Sequence, residues 1–214
     1  MMTGVIFDLD GTLLDTLEDL KDAVNVALAR FDYPPRSLEE VRQFVGNGAR
    51  QLLDRAVPEG ADPEPVLAVF REYYDANCCH KTGPYPGVLE ALDRIKEEYP
   101  VAIVSNKPDS AVKELCRDYF PGIFAMGEHS GCPRKPAPDM VFAAMDAIGV
   151  SRCVYVGDSE VDLQTAKNAA TPCLSVLWGF RSRQELEQAG AKYFCADAKD
   201  LADQLKDILR LDGR

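Results

Sequence analysis

A short apolar run near the start of the chain ends abruptly in two carboxylates, and this feature constrains the fold more than any other. The run spans residues 5–7, and Asp8 and Asp10 follow it, with Gly11 directly behind them. An apolar run this short, followed by glycine and an amphipathic segment, predicts a buried strand that ends in a tight turn. If the strand belongs to a parallel sheet, Asp8 lies at its carboxyl end, where open α/β sheets bind their ligands.

Two carboxylates separated by one residue repel each other unless a cation or a shared proton lies between them. A hard divalent ion such as Mg²⁺ would relieve the repulsion, because it takes oxygen ligands and often works beside substrate phosphates. Gly11 lets the turn approach a ligand closely, and Thr12 adds a hydroxyl and a backbone N–H at the same place. The alternative is an ordinary aspartate-glycine turn.

The composition is that of a globular, acidic protein. The 214 residues are 46% hydrophobic and carry 24 basic against 35 acidic side chains, a net charge of −11. This is enough to bury a full core, as one large domain or as a domain with an insertion. The acidic balance argues against nucleic acid or an anionic membrane surface as a partner, so an anionic ligand requires a local positive site.

The sequence also predicts a cytoplasmic protein. No stretch approaches the roughly 18–20 apolar residues of a membrane span, and the first strand is too close to Met1 to leave room for a signal peptide. The seven cysteines are scattered, which favours reduced thiols. Cys78, Cys79 and His80 form a cluster, but packed thiols at a helix end explain it better than a metal site, because no second ligand pair appears.

Helical spacing dominates residues 15–83, called the helical module below. Its first helix is predicted to begin at Thr16, with Asp19 three residues later. Further helices are predicted to begin at Ser37 and near Pro63. No convincing strand interrupts them.

Beyond the segment 83–87, which is rich in proline and glycine, apolar strands alternate with helices to near the end of the chain. Such alternation predicts a parallel sheet, and nearly unbroken apolar strands indicate helices on both faces. We therefore expect an α/β core, a doubly wound parallel sheet, built from residues 1–14 and 84–214. The helical module would be a small cap domain inserted after the first strand, with hinges near residues 14–15 and 84–87.

Three of the predicted strands end in polar residues. Asp8, Ser105–Asn106 and Asp158 each follow an apolar strand, and parallel strands bring such ends to one edge of the sheet. Asp162 lies four residues after Asp158, so both carboxylates fall on the same side of a helical first turn. The alternative for this pair is an acid-rich first turn that stabilises the helix end.

Lys135 lies in a proline-rich, non-helical segment. A lone lysine is usually a solvated surface charge. A site with this many acids, however, requires a fixed cation, and Lys135 is the candidate.

Taken together, these residues resemble the four motifs of the haloacid dehalogenase (HAD) superfamily of phosphatases. They match in order and context: Asp8-x-Asp10-Gly11-Thr12, then Ser105, then Lys135, then Gly157-Asp158-x-x-x-Asp162. The joint pattern is highly specific and covers nearly the whole chain. A helical insertion directly after the first motif is similar to the C1-type cap of that family.

The resemblance implies a role for each motif residue. Asp8 would be the nucleophile that forms an aspartyl-phosphate, and Asp10 the general acid and base. Ser105 would hydrogen-bond the phosphoryl oxygens, and Lys135 would neutralise and orient the phosphate. A dehalogenase would lack Asp10 and the metal, which argues against that activity.

The same resemblance implies a Mg²⁺ site. The ligands would be the carboxylates of Asp8 and Asp158 and the backbone carbonyl of Asp10. Asp162 would support the ion through water or through a contact to another ligand.

Smaller features resemble the phosphoglycolate phosphatases of this superfamily. They lie in the segments 45–49, 105–108 and 177–181. The resemblance implies that substrate is bound by Thr12, Gly46, Asn47, Gly48, Arg55 and Asn106. Position 50 is Arg where the resemblance leads us to expect an acid, and a simple helix break is the alternative account of the two cap glycines.

The favoured function is therefore a Mg²⁺-dependent phosphatase for a small phosphomonoester, with 2-phosphoglycolate as the favoured substrate. Alternatives on the same fold are an inorganic pyrophosphatase and a nucleotide or sugar phosphatase. A phosphohexose mutase shares the core, but its basic cap signature is missing here. A non-catalytic phosphate-binding regulator is the alternative from another class. We expect a monomer or homodimer whose partner is a small anionic phosphorylated metabolite, neither a nucleic acid nor a membrane.

Overall fold

The structure, a computed structural model, describes residues 2–212. In chain order its strands are β1 (Thr3–Phe7), β2 (Leu14–Asp15), β3 (Gly83–Pro84), β4 (Val101–Pro108), β5 (Phe124–Glu128), β6 (Arg152–Gly157), β7 (Cys173–Val176) and β8 (Tyr193–Cys195). Its α-helices are α1 (Leu17–Ala29), α2 (Leu38–Phe44), α3 (Ala49–Ala56), α4 (Pro63–Asn77), α5 (Val88–Lys96), α6 (Asp109–Tyr119), α7 (Asp139–Ala147), α8 (Glu160–Asn168), α9 (Arg183–Gln188) and α10 (Leu201–Asp212). A short 3-10 helix at Ala198–Asp200 precedes α10.

Six strands form one parallel sheet in the order β5-β4-β1-β6-β7-β8. Central β1 is apolar because helices cover both of its faces. Val5 and Phe7 belong to the buried cluster that α5, α6 and α10 also form, whereas Ile6 packs with α7 and α8. This confirms the predicted doubly wound α/β core.

Helices α1–α4 lie between β2 and β3 and bury a core of their own. Each helix contributes to it, for example Leu28 from α1, Val41 from α2, Leu53 from α3 and Phe70 from α4. Phe180, from the chain after β7, joins this cluster. The helical insertion therefore packs internally while it also contacts the α/β core.

The two connections between the helical module and the sheet pair with each other, which the sequence did not predict. Strands β2 and β3 are antiparallel, with Leu14 opposite Pro84 and Asp15 opposite Gly83. Strands of two residues are too short to show a hydrophobic period. Both connections therefore leave the sheet side by side.

Helix α1 begins after Thr16, as predicted, but the Thr16 side chain makes no capping hydrogen bond. The Asp19 carboxylate is buried and turns instead to the returning connection. It accepts hydrogen bonds from the backbone N–H groups of Lys81 and Thr82 and from the Thr82 hydroxyl, at 2.9–3.1 Å. The Tyr119 hydroxyl, from the α/β core, donates to the Thr82 carbonyl at 2.7 Å. Asp19 thus links the first helix of the module to the connection by which the chain returns to the sheet.

Two of the cysteines, Cys78 and Cys79, directly precede the returning connection. All seven are free thiols, and Cys78 is buried directly after α4, with its Sγ 3.4 Å from that of Cys79. This placement confirms packed thiols at a helix end. None of the helices within residues 2–212 combines the length and the apolar character that crossing a bilayer requires.

We expect Asp19→Asn to lower the free energy of unfolding by about 2 kcal/mol, because the amide turns a donor toward groups that already donate. Urea denaturation measures the loss. Asp22→Asn is the matched control, since Asp22 pairs with the same Lys81 at 2.6 Å but on the surface, and its loss should be below about 1 kcal/mol. Equal losses in the two variants would contradict the role given to Asp19.

Candidate active site

The carboxyl-terminal parts of β1, β4 and β6 meet at one edge of the sheet and form the floor of a cavity of about 60 Å³. Asp8, Ser105 and Asp158 line it from these strands, and Lys135 lines it from the loop between β5 and α7. The helical module forms the opposite wall. The structure thus brings together the strand-end residues that the sequence placed at one edge.

Lys135 lies at the centre of the acidic cluster. Its Nζ is 2.6 Å from Oδ1 of Asp8 and 2.9 Å from Oδ1 of Asp162, and all three side chains are buried. It also donates to the Tyr155 hydroxyl at 3.0 Å. Burial opposes the charge on Lys135, but Asp162 and Asp8 outweigh it and raise the pKa of Lys135 well above its ordinary value. Lys135 is therefore a fixed cation.

Both carboxylate oxygens of Asp162 are bound by the protein. Oδ1 accepts from Lys135 and from the Tyr155 hydroxyl, at 2.9 and 3.1 Å. Oδ2 accepts from the Ser159 hydroxyl at 2.6 Å and from the backbone N–H groups of Ser159 and Asp158 at 3.1 and 3.3 Å. Asp162 therefore anchors Lys135 to the first turn of α8.

The carboxylates of Asp8, Asp158 and Asp162 are buried, and each places an oxygen within 4.8 Å of the others. Burial and the charge of Asp162 raise the pKa of Asp8 well above its usual range, despite Lys135. The same two causes raise the pKa of Asp158 to about 7. Crowding of this kind is relieved by a hard divalent cation, which takes carboxylate oxygens as ligands. The donor set therefore fits such an ion.

Two glycines allow Asp158 to lie against the turn that follows β1. A Cβ on Gly11, whose φ is +84°, would lie 2.4 Å from Oδ2 of Asp158, and one on Gly179 would lie 2.4 Å from its Cβ. Asp158 also accepts from the Phe180 backbone N–H at 2.6 Å and from the Thr12 hydroxyl at 3.3 Å. Thr12 thus supports Asp158 and is not among the residues that line the cavity.

Asp10 pairs with a lysine that the sequence analysis did not select. Nζ of Lys107 is 2.7 Å from Oδ1 of Asp10, and both residues line the cavity. Ser105 donates a longer hydrogen bond to Oδ2 of Asp10, at 3.4 Å. Burial opposes the charge on Lys107, but Asp10 outweighs it and raises the pKa of Lys107. The available signal was a charged residue at the polar end of β4, three residues after the apolar run 101–104.

The loop 45–48 of the helical module covers the cavity. Gly46 and Gly48 line it, with φ values of +124° and +83° that favour glycine. The Asn106 side chain donates to the Gly46 carbonyl at 3.1 Å and to the Lys135 carbonyl at 2.9 Å. Asn106 therefore links the covering loop to the loop that holds Lys135.

Neither Asn47 nor Arg55 lines the cavity, contrary to the expectation that they bind substrate. Arg55 donates to the Asn47 side chain at 2.8 Å and to the Phe44 carbonyl at 2.7 Å, near the protein surface. Arg55 turns away from the cavity because the end of α2 leaves a backbone carbonyl that accepts a hydrogen bond from its guanidinium. Arg50 is also outside the cavity, where it pairs with Glu64.

A further contact holds the helical module on the core. The Arg181 guanidinium donates to the carbonyls of Arg42 and Val45, both at 2.9 Å, and pairs with Glu160 at 2.9 Å. Arg181 is buried and lines the cavity. Its segment resembles that of the phosphoglycolate phosphatases, but the sequence did not predict this contact.

The raised pKa of Asp158 predicts a pH dependence. The folded protein releases this proton near pH 7 and the unfolded chain near pH 4, so ionisation of Asp158 destabilises the folded state as pH rises between the two. In EDTA, the wild type should lose roughly 2–3 kcal/mol of stability relative to Asp158→Asn between about pH 5 and about pH 8. Urea denaturation at both pH values measures this. A difference that does not change with pH would contradict the burial of an ionisable Asp158.

Comparison with known proteins agrees with this geometry. The sequence profile described as haloacid dehalogenase-like hydrolase matches residues 5–176. Phosphoglycolate phosphatase 1 of Pseudomonas aeruginosa is 34% identical over 227 residues, which cover 97% of this chain and 82% of that protein. Phosphoglycolate phosphatase of Rhodobacter capsulatus is 37% identical, over 85% of this chain and 87% of that protein.

Solved structures agree as well. A crystal structure from Lactobacillus delbrueckii subsp. bulgaricus, of a protein provisionally described as a phosphoglycolate phosphatase, superposes with a TM-score of 0.89 at 37% identity. The match covers 94% of this chain and 97% of that one. Because these similarities extend over most of its length, the chain belongs to the haloacid dehalogenase-like hydrolase family.

Proposed function

We propose that this protein is a Mg²⁺-dependent phosphatase that hydrolyses a small phosphomonoester through an aspartyl-phosphate on Asp8. The observation that carries the proposal is the buried pair of Asp8 and Lys135, 2.6 Å apart at the end of the central strand. A carboxylate held beside a fixed positive charge supports the proposal, because phosphoryl transfer through an aspartate requires both. The names of the relatives, phosphoglycolate phosphatases, support the same reaction class.

Mg²⁺ would be held by the carboxylates of Asp8 and Asp158 and by the backbone carbonyl of Asp10. Asp162 would support it from behind, since its oxygens already bind protein donors. The donors are all oxygens, which suits Mg²⁺ better than ions that prefer nitrogen and sulfur. When bound, the ion supplies positive charge to the phosphoryl oxygens.

The chain's own residues divide the remaining work. Asp8 attacks phosphorus while Asp10 gives a proton to the leaving oxygen, so that the alcohol departs and Asp8 carries the phosphoryl group. Asp10 then takes a proton from the water that attacks this group, which releases phosphate and restores Asp8. Ser105 and Lys135 hold the phosphoryl oxygens in both steps. Two easier steps thus replace one difficult step.

The size of the cavity favours a small substrate, with 2-phosphoglycolate as the first choice. Its volume of about 60 Å³ is far below the roughly 300 Å³ at which pockets for drug-sized ligands begin. A nucleotide or a hexose phosphate would require the helical module to move away. The relatives are named phosphoglycolate phosphatases, and phosphoglycolate is smaller than a nucleotide or a hexose phosphate.

In this proposal residues 15–83 are a cap domain and residues 1–14 and 84–214 are the catalytic core. The separate apolar cluster of the helical module and its paired connections support this division. Opening the cap would break the hydrogen bonds that Arg181 and Asn106 donate to its carbonyls. The free cysteines favour a reducing compartment such as the cytoplasm.

The direct test is phosphate release from 2-phosphoglycolate, pyrophosphate, a nucleoside monophosphate and glucose 6-phosphate, with Mg²⁺ and with EDTA. We expect 2-phosphoglycolate to be hydrolysed fastest, and the activity to disappear in EDTA and return with added Mg²⁺. Release from none of the four would contradict the proposal. Isomerisation of a hexose phosphate without release would identify a mutase instead.

We expect Asp8→Asn to lower phosphate release by at least about 10³-fold, because the amide is not a nucleophile. Circular dichroism should show that the variant stays folded. Asp22→Asn, on the exposed side of α1, should keep the wild-type rate. Undiminished release by Asp8→Asn would exclude the covalent mechanism.

A further inference from the structure

We propose that Lys107 and Tyr74 form a carboxylate-binding subsite for the end of the substrate that is not phosphorylated. The inference rests on the proposed phosphatase function and names its substrate class, a small phosphorylated carboxylic acid. Both residues line the same cavity as Asp8, Lys107 from β4 and Tyr74 from α4. The Lys107 ammonium lies 4.8 Å from the centroid of the Tyr74 ring, so core and helical module meet at this point.

The Tyr74 hydroxyl is buried and makes no hydrogen bond of ordinary geometry. Burial raises the pKa of Tyr74, and the nearby Lys107 ammonium opposes this effect, so the hydroxyl and the ammonium lie close together. The side chain as a whole is only 2% exposed. A buried hydroxyl without a partner is costly and uncommon in folded proteins. Phe70 stacks on the Tyr74 ring, with centroids 5.3 Å apart and planes within 9°, and so fixes its direction. The hydroxyl is therefore a donor held in place for a ligand.

Among the cations that line the cavity, Lys107 is the one with N–H donors available for a ligand. Lys135 is engaged by two carboxylates and a tyrosine hydroxyl, and Arg181 by Glu160 and two backbone carbonyls. Among the residues that the structure describes, Asp10 is the one carboxylate within ion-pair distance of Lys107. An ammonium has three N–H donors, so the pair with Asp10 leaves others for a ligand.

The rest of the wall from the helical module is uncharged. Its side chains at the cavity are those of Leu20, Val45, Ala49, Leu52, Phe70 and Tyr74. The Tyr74 hydroxyl is therefore the polar side-chain group that this wall offers. A carboxylate accepts from a hydroxyl and an ammonium together, whereas an alkyl group would leave both donors without a new partner.

The subsite would also place the substrate correctly for the reaction. Because Lys107 contacts Asp10 directly, a carboxylate bound to Lys107 brings the adjacent leaving oxygen close to Asp10. In 2-phosphoglycolate a single carbon separates this oxygen from the carboxylate. A short phosphorylated acid therefore spans from Asp8 to Lys107 within the small cavity.

The test compares 2-phosphoglycolate with ethyl phosphate, which has the same two-carbon skeleton but lacks the carboxylate. The measured quantity is the ratio of kcat/KM for the two substrates. Tyr74→Phe removes one hydroxyl and should lower this ratio about tenfold. Tyr73→Phe makes the same change one residue earlier on α4, outside the cavity, and should leave the ratio within about twofold.

Lys107→Met should lower the same ratio by at least about tenfold, beyond any loss that both substrates share because Asp10 loses its partner. An unchanged ratio in Tyr74→Phe and in Lys107→Met would overturn the subsite and leave Lys107 as a positioning residue for Asp10, while the phosphatase function stands. Failure of the wild type to hydrolyse either substrate would overturn the proposed function and the subsite with it.

Discussion

The buried ammonium of Lys135 is the interaction on which the rest of the site depends. Three carboxylates crowd around one edge of the sheet, and without a cation the protein would have to leave them protonated or unfold around them. Lys135 contacts Asp8 and Asp162 directly and is itself shielded from water. Lys135 binds one oxygen of Asp8, Oδ1, and in the proposed mechanism the other oxygen attacks phosphorus.

A second lysine gives the two aspartates of the first motif different surroundings. Asp8 pairs with Lys135 on the core side, and Asp10 pairs with Lys107 below the helical module. Different environments suit carboxylates to different roles, and in the proposed mechanism Asp8 is the nucleophile and Asp10 the proton donor and acceptor. In a continuous strand the two side chains would share one face, but β1 ends at Phe7 and the chain bends at Leu9, between the two aspartates, which allows them different partners.

Much of this arrangement could be predicted from the sequence. The short, nearly unbroken apolar runs that alternate with helices predicted the parallel sheet. The polar residues after these runs predicted that Asp8, Ser105 and Asp158 share one edge. Gly11 was expected to let the turn approach a ligand closely, and in the structure the group that lies against it is the Asp158 carboxylate. The motif order then supplied Lys135, which no local pattern distinguishes from a surface lysine.

The rest depends on contacts between segments far apart in the chain. No local pattern predicts the contacts of Lys107, Tyr74 and Arg181 at the cavity, because these contacts come from the packing of the helical module on the core. Asn47 and Arg55 were expected at the substrate, but Arg55 donates to the Phe44 carbonyl at the end of α2 and to the Asn47 side chain, outside the cavity. The direction of such side chains depends on partners that are distant in the chain, which a local sequence pattern does not reveal.

Trapping the covalent intermediate would show whether the reaction passes through Asp8. A single turnover of 2-phosphoglycolate with a radiolabelled phosphoryl group is quenched in acid, and the labelled peptides are mapped. Asp10→Asn is included because slower hydrolysis of the intermediate should let it accumulate. The account predicts label on the peptide that contains Asp8. Release of labelled phosphate without any labelled protein, in the wild type and in Asp10→Asn, would contradict it.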